Sequence, residues 1–361
     1  MKLLLFTDAW FPQVNGVVRT LNMVTQALQN AGDAVEIVSP ADFKTFPCPT
    51  YPEIRLAVGA GGAIKKRLKR MDFDAIHIAT EGPIGYAARG ACKTLGLHFT
   101  TAYHTKFPEY VHVRSKLPLS WLYKAIGWFH APSDGVMVAT PTLHSELSAN
   151  GFTNLKQWSR GVELALFKPY PKTIVPEFND LKRPLMTYVG RVAVEKNIGA
   201  FLDIDHEGTK IVVGDGPMLA SLQKKYPDVV FVGSKSGEEL AQHYAASDVF
   251  VFPSKTDTFG LVMLEALASG VPVAAYPVPG PLDVVGAKGT GVLQHFNKAI
   301  GSLNTSLSTA IDEALGAKAE DCRAYANHFS WEQCAALFRA NLVDAAAGDD
   351  LPHNAQALAA Q

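Results

Sequence analysis

Short strand-like runs recur along the chain, continuously apolar at residues 3–6 and mostly apolar at 34–39, 74–80, 99–103 and 135–140, and again at 185–189, 210–213, 229–232, 249–252 and 271–275. Runs of this length without polar alternation predict strands buried on both faces. Between them lie stretches with apolar residues at helical spacing, among them 16–30, 84–95, 198–202, 238–247 and 261–268. Strand and helix in alternation predict parallel sheets covered by helices on both sides. A weaker run at 54–58 reads as a further strand, and past Gly291 the pattern turns helical, at 303–315 and 331–347.

Pro171, Pro176 and Pro184 lie in or beside a charged stretch and predict a linker. The expected division is a domain at 1–170, the linker at 171–184, a second domain at 185–329, a C-terminal helix at 330–347 and a small, polar, disordered tail at 348–361. No sequence repeat is visible. The architecture repeats instead, as two doubly wound, Rossmann-like α/β units.

The stretch 249–275 carries the clearest chemistry. Its strand runs into a turn bearing Asp257, and Gly260 opens a helix with Leu261, Leu264, Leu267 and Ala268 at helical spacing. Glu265 lies a little over one turn in; Gly270 ends the helix and Pro272 bars its continuation. Free amides and the positive dipole end at such a helix start suit an anion, and carboxylates accept hydrogen bonds from hydroxyls. Two acids around an amide nest suit a ligand with both groups, such as a nucleotide sugar. The plainer alternative is a strand–helix–strand unit with two exposed acids.

Other candidates sit where ligands bind in such folds, beyond the carboxyl ends of strands. Asn15-Gly16 forms a turn before the first helix, Glu81 follows the strand at 74–80, and His104 follows the strand at 99–103. A lone histidine is more often structural. Arg191 and Lys196 follow a strand ending in Gly190, and Gly214 heads a Gly-Asp-Gly-Pro turn. Positive charge there would stabilise a departing diphosphate; each cation alone is as readily a surface ion pair. Asp203-Ile204-Asp205 has the pattern of a metal-binding D-x-D but no glycine loop beside it, so it reads as a turn and no metal is expected.

Composition narrows the picture. The 361 residues are 48% hydrophobic and 19% charged, enough for two full cores. The net charge of −1 hides an asymmetry: 18 Lys and Arg against 12 Asp and Glu up to residue 170, and 15 against 22 beyond. Ile64, Leu68 and Met71 would form a helical stripe among Lys65, Lys66, Arg67, Lys69 and Arg70, the composition of a membrane-surface contact or of an ordinary surface helix. Trp121, Tyr123, Trp128 and Phe129 line either an acceptor groove or a core helix. The four cysteines show no metal or redox spacing and fit a reducing cytoplasm. The N-terminus is apolar only up to Thr7, too short for a signal peptide, and no apolar run reaches membrane-span length. The expected location is the cytoplasm or the periphery of the membrane's inner face.

In order and spacing, the Gly16 loop, His104, the Arg191/Lys196 pair and the Asp257…Glu265 stretch resemble the retaining GT-B glycosyltransferases of the family 4 type. The nearest branch holds GDP-mannose-dependent α-mannosyltransferases and glycolipid-forming enzymes. One departure is Asp257, where Glu is commoner. The resemblance implies an α/β GT-B fold, two Rossmann-like domains facing a cleft, and transfer of a hexose with retention from a nucleotide diphosphate sugar. Mannose is favoured, and the acceptor is a membrane lipid, with a soluble glycan, a small molecule or sugar-nucleotide epimerisation as alternatives. It implies that Gly16, Arg191 and Lys196 hold phosphate and His104 attends the sugar. Asp257 and the amides at Phe259, Gly260 and Leu261 would hold sugar hydroxyls and phosphate, and Glu265 the ribose. Gly214 belongs with the donor loops, and Glu81 with the acceptor side. No cofactor, metal or nucleic acid is expected. A dehydrogenase would need a G-x-G-x-x-G after its first strand, which Asn15-Gly16 does not supply.

Overall fold

The computed structural model describes residues 1–13, 15–48, 54–257 and 259–346; the tail expected at 348–361 lies outside them. The chain forms two compact units, Met1–Ser159 with Trp331–Gln361, and Arg160–Ser330.

The first unit runs β1 (Lys2–Phe6), α1 (Gly16–Asn30), β2 (Ala34–Val38), β3 (Thr45–Pro47), β4 (Arg55–Ala57), α2 (Ala60–Leu68), β5 (Ala75–Ile78), α3 (Pro83–Leu95), β6 (Thr100–Tyr103), α4 (Phe107–Ser115), α5 (Leu119–His130), β7 (Gly135–Val138), α6 (Pro141–Ala149) and β8 (Leu155–Gln157). Its sheet has the order β2-β1-β5-β6-β7-β8, with every pairing parallel. β5, β6 and β7 are buried throughout, with the polar His77, Thr100 and Thr101 among the buried residues.

The run at 54–58 stays out of this sheet. It becomes β4 and pairs antiparallel with β3 as a separate two-stranded ribbon. α4 and β8 carried no periodic signal, α4 because Pro108 and a polar face interrupt it, β8 because three residues show no period. α2 corrects the membrane expectation. Ile64 and Leu68, 1% and 0% exposed, belong to the core beneath it, so the stripe faces inward. Met71 lies past the helix end at φ +50°. Arg67 forks both oxygens of Glu36 at 2.6 Å and reaches Asp72 at 2.6 Å. Lys66, Lys69 and Arg70 are exposed and Lys65 is half-buried.

The second unit runs β9 (Leu185–Val189), α7 (Ile198–Leu202), β10 (Thr209–Val213), α8 (Leu219–Lys225), β11 (Val230–Gly233), α9 (Gly237–Ala246), β12 (Val249–Phe252), α10 (Leu261–Ala268), β13 (Val273–Ala275), α11 (Pro279–Val284), β14 (Gly301–Leu303), α12 (Leu307–Ala314) and α13 (Ala319–Ala326). Its sheet order, β11-β10-β9-β12-β13-β14, is parallel throughout and reverses direction at β9 and β12. That is the doubly wound order, whose ligand crevice opens at the reversal.

The expected boundaries shift. Residues 160–184 pack onto the second unit instead of bridging as a free linker. Arg323 donates to the carbonyls of Leu164 and Phe167, and the buried Phe178 meets His243 edge to face. The chain then returns to the first unit as α14 (Trp331–Asn341). Phe338 packs against His77 and Trp158, and Arg339 pairs with Asp33 at 2.9 Å.

Candidate functional site

In the second unit, the loops leaving β9 and β12 stand on either side of the sheet's reversal. They bring two predicted residues together: Lys196 Nζ lies 2.5 Å from Asp257 Oδ1, both side chains partly exposed. The loops are stitched by their backbones. Asn197, at φ +53°, donates from Nδ2 to Pro253 O at 3.1 Å, and the Thr256 hydroxyl donates to Glu195 O at 3.3 Å. The Tyr188 hydroxyl donates to Arg191 O at 2.8 Å and so fixes the turn that presents Arg191. Burial, with Asp257 and Glu195 nearby, pushes the Tyr188 phenol well above its ordinary range, so it stays a neutral donor.

Among the described residues Asp257 Oδ2 is buried without a hydrogen-bond partner, and so is Ser254 Oγ in the same loop. Such groups are uncommon in folded chains, and at a loop edge they are able to take a ligand's hydroxyls or amides. The sequence reading missed Ser254, since a serine after a strand carries no signal until its burial is known.

Gly260 has φ +83°, and a Cβ there would press within 3.0 Å of the Phe252 ring. It therefore turns the chain tightly into α10. Phe259 is buried, so only its backbone is available to a ligand, while Leu261 is half-buried. Glu265, on the second turn of α10, is 3% exposed and accepts a hydrogen bond from the Tyr244 hydroxyl at 2.9 Å. Tyr244 is a second residue that the sequence did not single out. Gly214, at φ +153°, packs so closely that a Cβ would stand 1.9 Å from Gly190 O. Val192 N and Asp215 O, 2.8 Å apart, complete the contact, so Gly214 locks the turn after β10 onto the one carrying Arg191. Asp203, between α7 and β10, lies toward the strands' amino ends and accepts from Tyr226 at 2.5 Å and Lys225 at 3.5 Å.

The first unit reverses at β1 and β5, and the loops there hold its candidates. Asp8 ends β1 and accepts the amides of Ile84 and Gly85 at 2.9 and 3.2 Å and the Thr80 hydroxyl at 3.0 Å, holding the first turn of α3. Burial raises its carboxyl, partly offset by those bonds. Gly16 starts α1 under an Asn15 cap, and no protein atom lies within 4 Å of where a Cβ would stand. Packing therefore does not demand glycine there. His104 follows β6, nearly buried, its ring 5.5 Å from Trp158.

Glu81, expected on the acceptor side, follows β5. Its side chain is buried and lies 3.1 Å from His130 Nε2, whose Nδ1 meets the Thr101 hydroxyl at 2.9 Å. Its second oxygen, Oε2, is buried without a hydrogen-bond partner among the described residues. A cluster invisible in the sequence steadies the loop after His104. Lys106 pairs with Glu146 at 2.5 Å, and the Tyr123 hydroxyl lies 2.5 Å from Glu109 and 2.8 Å from Glu146. Burial, with those carboxylates, drives the Tyr123 phenol upward. These partners are 14 to 40 residues apart in sequence.

Two family models match, "Glycosyltransferase Family 4" over residues 14–166 and "Glycosyl transferases group 1" over 171–329. The sulfoquinovosyl transferase SQD2 of Arabidopsis thaliana is 31% identical over 76% of this chain, which spans 59% of that protein's length. A GDP-mannose-dependent alpha-mannosyltransferase of Mycobacterium tuberculosis is 28% identical over 81% of this chain and 83% of its own. The alpha-monoglucosyldiacylglycerol synthase of Streptococcus pneumoniae is 29% identical over 82% and 75%. Among solved structures, the sucrose-phosphate synthase of Thermosynechococcus elongatus superposes with a TM-score of 0.70 at 21% identity, covering 94% of this chain and 97% of its own.

Proposed function

Since this chain belongs to the family 4 glycosyltransferases, with the two Rossmann-like units of the GT-B fold, we propose that it moves a hexose, mannose in the first place, from a nucleoside diphosphate sugar to a membrane lipid with retention of configuration. The observation that carries the donor reading is the Lys196–Asp257 pair at 2.5 Å, with the second Asp257 oxygen buried and unengaged. In this reading Lys196 and Arg191 meet the diphosphate and stabilise its departure. Asp257 accepts from sugar hydroxyls, and Glu265, oriented by Tyr244, accepts from the ribose. His104 attends the sugar, and the open space at Gly16 admits a phosphate.

The names of the mannosyltransferase and the monoglucosyldiacylglycerol synthase support hexose and lipid as substrate classes. With two cations placed to receive the leaving group, the reaction needs no divalent metal. The engagement of Asp203 by Tyr226 and Lys225 fits a surface turn.

The test is a mass-spectrometric product screen of purified protein with GDP-mannose, UDP-glucose and other nucleotide sugars, with and without a mixed lipid extract. A hexosyl lipid formed from GDP-mannose in the presence of EDTA is the expected result. Turnover of donor to an isomer without acceptor would replace transfer by epimerisation. Loss of activity restored only by manganese or magnesium would overturn the metal-free reading.

A further inference from the structure

Within the second unit, at the end of the sheet away from the β9–β12 crevice, lies a cavity of about 460 Å³, open to solvent. Pro184, Asp248 and Pro272 line it, and each immediately precedes a strand, β9, β12 or β13. β9 and β12 each span roughly 15 Å before the crevice opens at their carboxyl ends. None of the lining residues belongs to the crevice. A volume of this size suits a small organic ligand.

The walls are of two kinds. Pro184, Pro272 and Leu315 are apolar, whereas Lys172, Arg183 and Asp248 are charged. Beyond residue 170 acids outnumber bases by 22 to 15, yet here two cations meet one acid. That acid is committed. Asp248 accepts from Arg183 Nη1 at 2.6 Å through one oxygen and from the Leu185 amide at 2.7 Å through the other. Lys172 donates to the Ser247 carbonyl and, among the described residues, pairs with no carboxylate. Burial disfavours its charge, and so does Arg183, with Asp248 offsetting them only in part, so the ammonium titrates below its ordinary range. An anion would relieve that cost. Arg183 Nη2 makes only long contacts, 3.4 and 3.5 Å, to the carbonyls of Lys172 and Ala246, and so has donors to give. A phosphate offers three acceptor oxygens, enough to meet both cations at once.

We infer that this cavity is a second anion site, separate from the donor crevice, and that it takes a phosphate monoester. The phosphate lies between Lys172 and Arg183, and the carbon body lies against Pro184, Pro272 and Leu315. Its role is binding, since no nucleophile or base lines the cavity besides Lys172 and the engaged Asp248. Gly270 also lines it, just past the end of α10, whose second turn carries Glu265. An occupant therefore adjoins the far end of a helix that reaches the crevice. The assignment does not depend on which sugar or acceptor the crevice serves.

Calorimetry on the full chain with glucose 6-phosphate, inorganic phosphate, glucuronate and glucose tests it. The wild type should bind glucose 6-phosphate, and bind glucuronate and glucose at least about tenfold more weakly. Inorganic phosphate should also bind more weakly than the ester, because it leaves the apolar walls uncovered; the reverse order would overturn the ester assignment. Lys172→Gln removes the ammonium, and Ala317→Glu sets a carboxylate into the cavity wall. Each should weaken glucose 6-phosphate by about tenfold or more at an unchanged denaturation midpoint. Lys196→Ala, in the donor crevice, should not. No binding of the ester by the wild type, glucuronate bound as tightly as the ester, or wild-type affinity in either cavity variant overturns the inference. So does loss of binding in Lys196→Ala alone.

Discussion

Glu265 shows how one side chain is prepared for its task. A carboxylate 3% exposed is held by the Tyr244 hydroxyl at 2.9 Å, which fixes its direction. Glu265→Gln exchanges an acceptor of two hydroxyls for an amide, and nucleotide affinity should fall by about tenfold, roughly 1.4 kcal/mol. Tyr244→Phe should act in the same direction by a smaller factor. If Glu265 meets the ribose, both variants should also lose part of the preference for a ribonucleotide over its 2′-deoxy analogue. Calorimetry with GDP and 2′-deoxy-GDP reads both effects, and an unchanged preference in Glu265→Gln would remove the ribose role. The acids and cations themselves were legible in sequence, because Asp257, Arg191 and Lys196 lie in loops that follow strands and Glu265 lies on the helix that Gly260 opens. Their partners were not. Tyr244 and Ser254 acquire meaning only from burial, and a strand-end position does not reveal that His130 lies beside Glu81.

At the scale of elements, two glycines in loops after strands have opposite reasons to be glycine. Gly214 packs so that a side chain would enter the space of Gly190 O, whereas Gly16 faces open space. Gly214→Ala should destabilise the second unit by about 3 kcal/mol or more, visible as a lower denaturation midpoint. Gly16→Ala should leave stability within about 0.5 kcal/mol. If a donor phosphate approaches that backbone, it should still weaken nucleotide binding. A Gly16→Ala protein with unchanged donor affinity would remove the phosphate role from that loop. Predominantly apolar runs such as β9 and β12 were readable because burial on both faces leaves little room for polar residues. β8 and β14 were not: each is a three-residue edge strand whose pairing comes from a neighbour already in place. α2 was read with its stripe outward because a short amphipathic pattern does not say which side meets the core.

Across the whole chain, the return of α14 to the first unit is what sequence order could not show. It places Phe338 against His77, an imidazole sealed at the centre of the sheet. Burial pushes His77 down to about 3 from its ordinary 6.5. Between those values the unfolded chain binds one proton more than the folded one, so stability is full above about pH 6.5 and falls as pH drops toward 3. The slope from this group is at most about 1.4 kcal/mol per pH unit. Urea midpoints from neutral to mildly acid pH should show that fall and a shallower one in His77→Gln; equal slopes would assign the acid sensitivity elsewhere. The account as a whole turns on the β9–β12 crevice and on Lys196 as the charge that receives the leaving diphosphate. The most direct measurement is kcat/KM for Lys196→Ala with the donor that the product screen identifies, on protein whose denaturation midpoint matches the wild type. A fall of roughly a hundredfold or more is predicted; wild-type turnover in that variant would contradict the account.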